Sequence, residues 1–157
     1  MGSRIEHSVQ VKCSQQRAWD IHTDWKRWKL WNGIYGGVRW VEGEPWIVGS
    51  RLEVDLLQPR PMTVKQVLTV CEAPRKMAWV GHAVGVTYEQ WFNYSARRAG
   101  GAFVHSWIEL TGVASLFFGK TTEEFVRENL VKWFEGFRAE CDLGVVPEVQ
   151  RPPSPQP

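Results

Sequence analysis

Histidine is the side chain best suited to metal binding and to proton transfer near neutral pH, and this chain has four of them. They are His7, His22, His82 and His105, and none shows the HxH, HxxxH or HExxH spacing that brings two imidazoles to one metal ion. No serine lies in a GxSxG context that would mark an activated nucleophile. The sequence therefore predicts no metal site and no cofactor, and it identifies no catalytic residue.

The three cysteines, Cys13, Cys71 and Cys141, form no CxxC motif and cannot all pair with one another. Unpaired thiols are typical of a reducing compartment. The N-terminus lacks the apolar run of a signal peptide, and no stretch approaches the ~20 apolar residues of a membrane span. These observations predict a cytoplasmic protein without a membrane span.

One segment imitates a phosphate-binding loop, because residues 114–121 (ASLFFGKT) match a relaxed form of that pattern. A phosphate cradle needs small residues whose backbone N–H groups converge on the phosphate oxygens. Leu116, Phe117 and Phe118 are instead bulky and apolar. We therefore expect no nucleotide site here.

The charged side chains are predicted to lie on the solvent-exposed surface. Glu53 and Asp55 alternate outward on a strand, and the acidic residues within 123–128 lie at a helix start, where they favour the helix dipole. The basic residues within 26–29 lie among tryptophans, but three such charges in a chain of net charge +2 carry little phosphate affinity. The sequence therefore predicts no nucleic-acid partner.

Hydrophobic periodicity divides the chain into strands and helices. Alternation from Ile5 to Val11 predicts a half-buried strand, and Ser14 is the predicted N-cap of a following helix that a Trp-rich turn ends. Six further strands joined by short turns indicate an antiparallel meander. They are predicted near 38–42, 50–57, 62–72, 76–83, 86–96 and 102–111.

The last predicted element is a long helix that begins at a capping box of Thr121 with Glu124 and ends near Asp142. Its apolar stripe is wide enough to cover the apolar face of a single antiparallel sheet. If the sheet curves, helix and sheet cannot touch everywhere, and a cavity between them follows. The stripe consists of Val126, Leu130, Trp133, Phe134, Phe137 and Cys141.

Residues 145–157 form a separate segment, because five of the eleven residues from Pro147 to Pro157 are proline. Such a composition cannot bury enough apolar surface to offset the entropy cost of ordering. We therefore predict one domain over 1–144 and a disordered Pro-rich tail over 145–157, whose PxxP spacing could dock on an aromatic groove of a partner.

The order of these elements, together with several landmarks, resembles the START-like helix-grip superfamily (the SRPBCC group, with its polyketide cyclase/dehydrase-like proteins). The resemblance covers residues 4 to 142 and implies an α+β helix-grip fold, a curved antiparallel sheet of about seven strands wrapped on a long C-terminal helix, with short helices after the first strand. The landmarks are RAW at 17–19, the aromatic turn at 28–32, Gly43 and GSRL at 49–52, PRKMAWVG at 74–81, Gly100-Gly101 and Gly112. In this superfamily the cavity typically holds an apolar small molecule; some members are cyclases, others are carriers or receptors, and others bind a chaperone.

The resemblance also shows a departure. Related sequences often carry a histidine in the sixth strand and a histidine or glutamate in the seventh, and these positions fall on Gln90, Ser106 and Ile108 here. His105 lies one residue away and should face outward. The acid–base pair of a cyclase or dehydratase is therefore missing from the predicted cavity.

Strand parity selects the residues that should face the cavity. Alternate residues of a strand face opposite sides of the sheet, and on the sixth and seventh strands we place inside the side that carries no formal charge, which contains Tyr88 and Ser106. This choice requires an odd-length loop or a bulge near 98–101. A one-residue slip would instead bring His105 and Glu109 inward. The predicted ligand-binding residues are Met77, Trp79, Tyr88, Gln90, Phe92, Ser106, Ile108, Leu130, Trp133 and Phe137.

The sequence thus predicts binding of a hydrophobic or aromatic small molecule, such as a lipid or a polyketide-like compound, between the sheet and the C-terminal helix. Two alternatives stay open. A polyketide-type cyclase or dehydratase would use Tyr88, or His105 and Glu109 if the parity is reversed. A protein-interaction module of the co-chaperone kind would present an outward pair, Trp91 and Trp107, which could equally stabilise the sheet or form a homodimer patch.

Overall fold

The computed structural model describes residues 3–57, 61–83, 85–112, 116–117 and 120–143. Seven long strands, with short helices after the first and a long helix at the end, form an antiparallel helix-grip architecture. The predicted tail and half of the segment that imitates a phosphate-binding loop (114–115 and 118–119) lie outside the described residues. The strands are β1 (Ser3–Val11), β2 (Tyr35–Glu42), β3 (Arg51–Leu56), β4 (Met62–Glu72), β5 (Lys76–Ala83), β6 (Val86–Ala96), β7 (Ala102–Gly112), and the short β8 (Leu116–Phe117) and β9 (Lys120–Thr121).

The seven long strands form one curved sheet in the order β1-β7-β6-β5-β4-β3-β2, and all neighbours are antiparallel. The meander from β2 to β7 follows directly from the short connections between consecutive strands. β1 then joins β7, with Ile5 opposite Ile108. The first strand therefore closes one edge of a sheet whose other edge is β2.

Within the described residues three helices accompany the sheet: α1 (Gln15–Thr23), α2 (Trp28–Trp31) and α3 (Thr122–Asp142), with a 3-10 turn at Trp25–Arg27. α1 begins as predicted, because the Ser14 hydroxyl accepts a hydrogen bond of 3.1 Å from the Arg17 backbone N–H. Of the predicted bounds, that of β2 differs most, since the strand starts at Tyr35. Tyr35 pairs with Leu56, and an irregularity before Val38 accommodates the two glycines at 36 and 37 that precede the predicted start.

The C-terminal half of α3 packs tightly into the core. Phe134 and Phe137 are fully buried, and Asp142 accepts a hydrogen bond of 2.7 Å from the Lys12 backbone N–H. Gly136 allows α3 to pack closely against α2, because a Cβ at that position would collide with the carbonyl oxygen of Trp31 on α2. The N-terminal half of α3 borders a cavity.

The outer face of the sheet carries the predicted tryptophan pair. Trp91 and Trp107 are cross-strand partners and stack with ring centroids 5.5 Å apart. The Arg4 guanidinium lies 4.4 Å from the Trp107 ring centroid, and Trp91 donates its indole N–H to Glu89. Both indoles are only half exposed and have partners within the sheet, an arrangement that favours a role in stabilising the sheet.

Candidate functional site

A cavity of about 170 Å³ lies between the inner face of the sheet and the N-terminal half of α3. Its deep end is formed by buried aromatic side chains such as Trp79, Phe92 and Trp133, and the residues near the β5–β6 turn, such as Ala83, are half-buried. The volume is close to that of an engineered cavity of ~150 Å³ that binds benzene, and below the ~300–1,000 Å³ of many drug-sized sites. It is therefore suited to a molecule of about one or two rings.

Seven of the ten predicted ligand-binding residues border this cavity: Trp79, Tyr88, Gln90, Phe92, Ile108, Leu130 and Trp133. Met77, Ser106 and Phe137 face the same interior but are fully buried in the core and do not border the cavity. Their exclusion has a simple cause: where α3 lies close to the sheet, inward side chains fill the space between them. The binding role of all ten residues stays a prediction.

The strand parity that selected these residues is confirmed. Gln90 pairs with Ile108 and both border the cavity, and the β6–β7 loop has the predicted odd length, since Ala96 pairs with Ala102. His105 lies on the outer face, 4.0 Å from the Glu6 carboxylate, and Glu109 lies 3.9 Å from Arg4 on the same face. The acid–base pair that a reversed parity would have brought inward is therefore absent from the cavity.

Two glutamines on the inner face of the sheet, Gln66 and Gln90, each donate a side-chain hydrogen bond to a hydroxyl group. The Gln66 amide donates to the Tyr88 hydroxyl, and the Gln90 amide donates to the Ser106 hydroxyl over 3.2 Å. Burial raises the pKa of the Tyr88 hydroxyl, so it stays protonated at neutral pH. Because Tyr88 already accepts from Gln66, its own proton remains available to a ligand.

The position of the Tyr88 ring depends on a glycine. Gly81 is the β5 partner of Tyr88, and a Cβ at that position would collide with the phenol ring. The ring thus lies directly over the glycine. Gly81, which the resemblance marked only as a landmark, therefore shapes the cavity wall.

His22 also borders the cavity, and sequence reasoning did not assign it to the site. It lies in the last turn of α1, is 3% exposed, and its Nδ1 contacts the hydroxyl of Tyr94. Burial alone lowers its pKa to about 3, so the imidazole is neutral at physiological pH. Its helical spacing with Ala18 and Ile21 on the buried face of α1 was the signal that could have identified it.

Gln66 and Asn129 are two further cavity residues that the prediction missed. Gln66 has the same parity on β4 as the inward Val64 and Leu68, so strand parity could have found it. Asn129 precedes Leu130 on α3 and lies at the edge of the predicted apolar stripe. Both add amide groups to a wall that is otherwise mostly apolar.

Among the described residues, no aspartate, glutamate, lysine or arginine borders the cavity. The charged side chains lie elsewhere: Arg39 on the outer face contacts Asp55 at 2.9 Å and Glu53 at 3.0 Å. Arg39 holds the pKa of Asp55 below its usual value, mainly through this hydrogen bond. The described ranges also contain no group of three or more His, Cys, Asp or Glu side chains that could hold a metal ion.

No helix within the described ranges is both long enough and apolar enough to span a membrane.

Comparison with known proteins gives a family match over nearly the whole described chain. Residues 3–142 match the family described as polyketide cyclase/dehydrase and lipid transport. No curated protein is significantly similar in sequence.

Solved structures with the same fold are numerous, and their sequences have diverged widely. The ZhuI aromatase/cyclase from a Streptomyces species aligns with a TM-score of 0.75 at 16% identity, covering 90% of this chain and 94% of that one. A START superfamily protein from Mycobacterium smegmatis gives a TM-score of 0.73 at 13% identity, covering 88% and 96%. A major latex-like protein from Panax ginseng gives 0.73 at 10% identity, covering 90% and 98%. At such identities the likeness concerns the fold alone.

Proposed function

Because this chain belongs to the polyketide cyclase/dehydrase and lipid transport family, we propose that it binds a neutral, hydrophobic small molecule of one or two rings. The observation that carries the proposal is a cavity of about 170 Å³ beneath α3 whose described lining contains no aspartate, glutamate, lysine or arginine. An apolar molecule gains about 25 cal/mol for each Å² of apolar surface that it removes from water. Tyr88 and Gln90 would orient its polar atoms.

The absence of charged side chains from the described wall supports a neutral ligand. An ionised carboxylate would lose its hydration in the cavity and find no described cation to replace it, at a cost of several kcal/mol. Neutral aromatic, alcohol or ketone compounds avoid this cost. The proposal therefore favours neutral polyketide-like or aromatic compounds over free fatty acids.

The cyclase or dehydratase alternative now depends on neutral groups. His105 and Glu109 lie on the outer face, which leaves Tyr88 as the candidate that the sequence had named. Tyr88 could donate a hydrogen bond to a carbonyl oxygen, and this interaction serves binding as well as catalysis. We therefore propose a binding function, which needs no further group.

The direct test is native mass spectrometry of the protein purified from its own host, followed by organic extraction of what is bound. A co-purifying neutral apolar compound is expected. A ligand-free protein that also gives no thermal shift with a panel of neutral one- and two-ring compounds would contradict the proposal.

A matched pair of variants locates the site. Leu130→Phe places a larger side chain in the cavity wall and should weaken binding, since the added ring atoms take up part of the free volume. Leu30→Phe makes the same change at a position that is 67% exposed and should leave binding unchanged. Equal binding by wild type and Leu130→Phe would show that the ligand lies elsewhere.

A further inference from the structure

The last turn of α1 places His22 at the deep end of the cavity. Its ring centroid lies 4.5 Å from that of Phe92 and 4.9 Å from that of Trp133. Burying an imidazole among aromatic rings is costly unless both of its nitrogens find partners. The partner of each nitrogen therefore indicates what His22 does.

Nδ1 has a partner within the protein, the hydroxyl of Tyr94. Tyr94 is buried, and burial raises the pKa of its hydroxyl, so the group is protonated and needs an acceptor. Among the described residues, Nδ1 of His22 is the acceptor within reach of that hydroxyl. Tyr94 therefore donates to Nδ1, and the single proton of the neutral imidazole lies on Nε2.

Nε2 has no hydrogen-bond partner within the described ranges. Within the described residues, Nε1 of Trp40 is the one side-chain nitrogen or oxygen atom that is fully enclosed and has no hydrogen-bond partner. Nε2 of His22 has no partner either, so it is not fully enclosed. Since the His22 side chain borders the cavity, Nε2 opens into it. The cavity thus contains an N–H donor that lacks an acceptor.

We propose that His22 determines ligand specificity by donating its Nε2–H to the carbonyl oxygen of a neutral ketone of one or two rings. This inference rests on the proposed function and names the ligand class. A carbonyl oxygen suits this donor because it accepts a hydrogen bond and brings no additional proton that would need a partner in an apolar environment. Tyr88 lies four residues before Phe92 on β6, about 13 Å further along the strand, so His22 supplies a donor at a distance from Tyr88, where its ring contacts Phe92 and Trp133.

The test uses two probes of nearly equal shape, 1-tetralone and its parent hydrocarbon tetralin, titrated calorimetrically into the full chain. His22→Phe keeps a ring of similar size and removes the donor. It should weaken 1-tetralone binding about five- to tenfold more than tetralin binding, the usual effect of one hydrogen bond, because tetralin accepts no hydrogen bond and reports the change in ring shape alone. His105→Phe makes the same substitution on the outer face and should change neither affinity.

The possible outcomes separate this inference from the proposed function. If His22→Phe weakens both probes equally, His22 only shapes the wall and the inference is wrong, although the cavity binds. If wild type binds tetralin and not 1-tetralone, the ketone assignment is wrong. If wild type binds neither probe, the inference is again wrong, and native mass spectrometry then decides on the proposed function.

Should His22→Phe fail to fold, ¹⁵N NMR of the wild-type imidazole provides an independent measurement. We expect the proton on Nε2 and a selective shift of that nitrogen when 1-tetralone is added. A proton on Nδ1, or an Nε2 resonance that 1-tetralone leaves unchanged, would overturn the inference.

Discussion

Acidification should destabilise this protein through His22 in particular. The group is neutral in the folded state, where burial lowers its pKa from 6.5 to about 3, whereas the unfolded chain has the ordinary value. Below pH 6.5 the unfolded state therefore binds more protons than the folded state, and protons favour unfolding. The stability that neutral His22 allows is fully present above pH 6.5 and is lost as the pH falls toward about 3.

The magnitude follows from the interval between the two pKa values. Each pH unit inside it costs about 1.4 kcal/mol, so lowering the pH from 6.5 to 4.5 should cost about 2 to 3 kcal/mol of unfolding free energy through this residue alone. Desolvation is the sole cause of the shift, and no charged neighbour offsets it. Because the side chain is only 3% exposed, solvent screening reduces the effect little.

The assay is urea unfolding at several pH values between 7 and 4.5, with His22→Gln as the comparison. The side-chain amide that this variant introduces does not titrate, so the difference in stability between wild type and variant cancels the contributions of all other groups. We expect this difference to change by about 2 to 3 kcal/mol in disfavour of wild type as the pH falls. A difference that stays constant would refute the assignment of a buried neutral imidazole.

Three further predictions concern positions away from His22. Ser14→Ala removes the N-cap of α1 and should lower the free energy of unfolding by about 1 kcal/mol in urea titrations, whereas Ser14→Asp should restore most of it. Gly81→Ala should displace the Tyr88 ring. The amount of bound ligand detected by native mass spectrometry should then fall, while the far-UV circular dichroism spectrum stays unchanged. Intact binding would mean that Tyr88 does not shape the site. Trp91→Ala removes the stack with Trp107 and should cost about 1 kcal/mol or more of stability with no loss of bound ligand; a change in oligomeric mass instead would favour the dimer patch.

The sheet could be predicted from the sequence because its signals are local. Alternating side chains mark each strand and Gly- or Pro-containing turns separate them, so six strands after α1 were expected and six long strands follow it. β2 was placed too late because Gly36 and Gly37 have no side chains that could show alternation, and only the partner strand shows that Tyr35 pairs with Leu56. Pairing between strands is a tertiary property, which a local pattern does not contain.

Strand parity predicted which side chains face the interior, but it could not predict which of them border the cavity and which are buried in the core. Gln90 and Ser106 face the same interior, yet Gln90 borders the cavity and Ser106 lies behind it as its hydrogen-bond partner. What separates them is the distance between α3 and the sheet at each level, which depends on contacts such as that of Gly136 with Trp31. His22 was missed for a related reason, because its partner Tyr94 lies 72 residues away in the chain.

The same physical condition explains both the state of His22 and the ligand class. The aromatic environment that lowers the pKa of this imidazole to about 3 also penalises any charged ligand group beside it. An environment that keeps a histidine neutral well below its ordinary pKa cannot accept a carboxylate without a counter-charge, and none borders the described part of the cavity. The proposed selectivity for neutral compounds therefore requires no dedicated residue, since it follows from burial, and the role that we propose for His22 is to distinguish a ketone from a hydrocarbon among the molecules that burial admits.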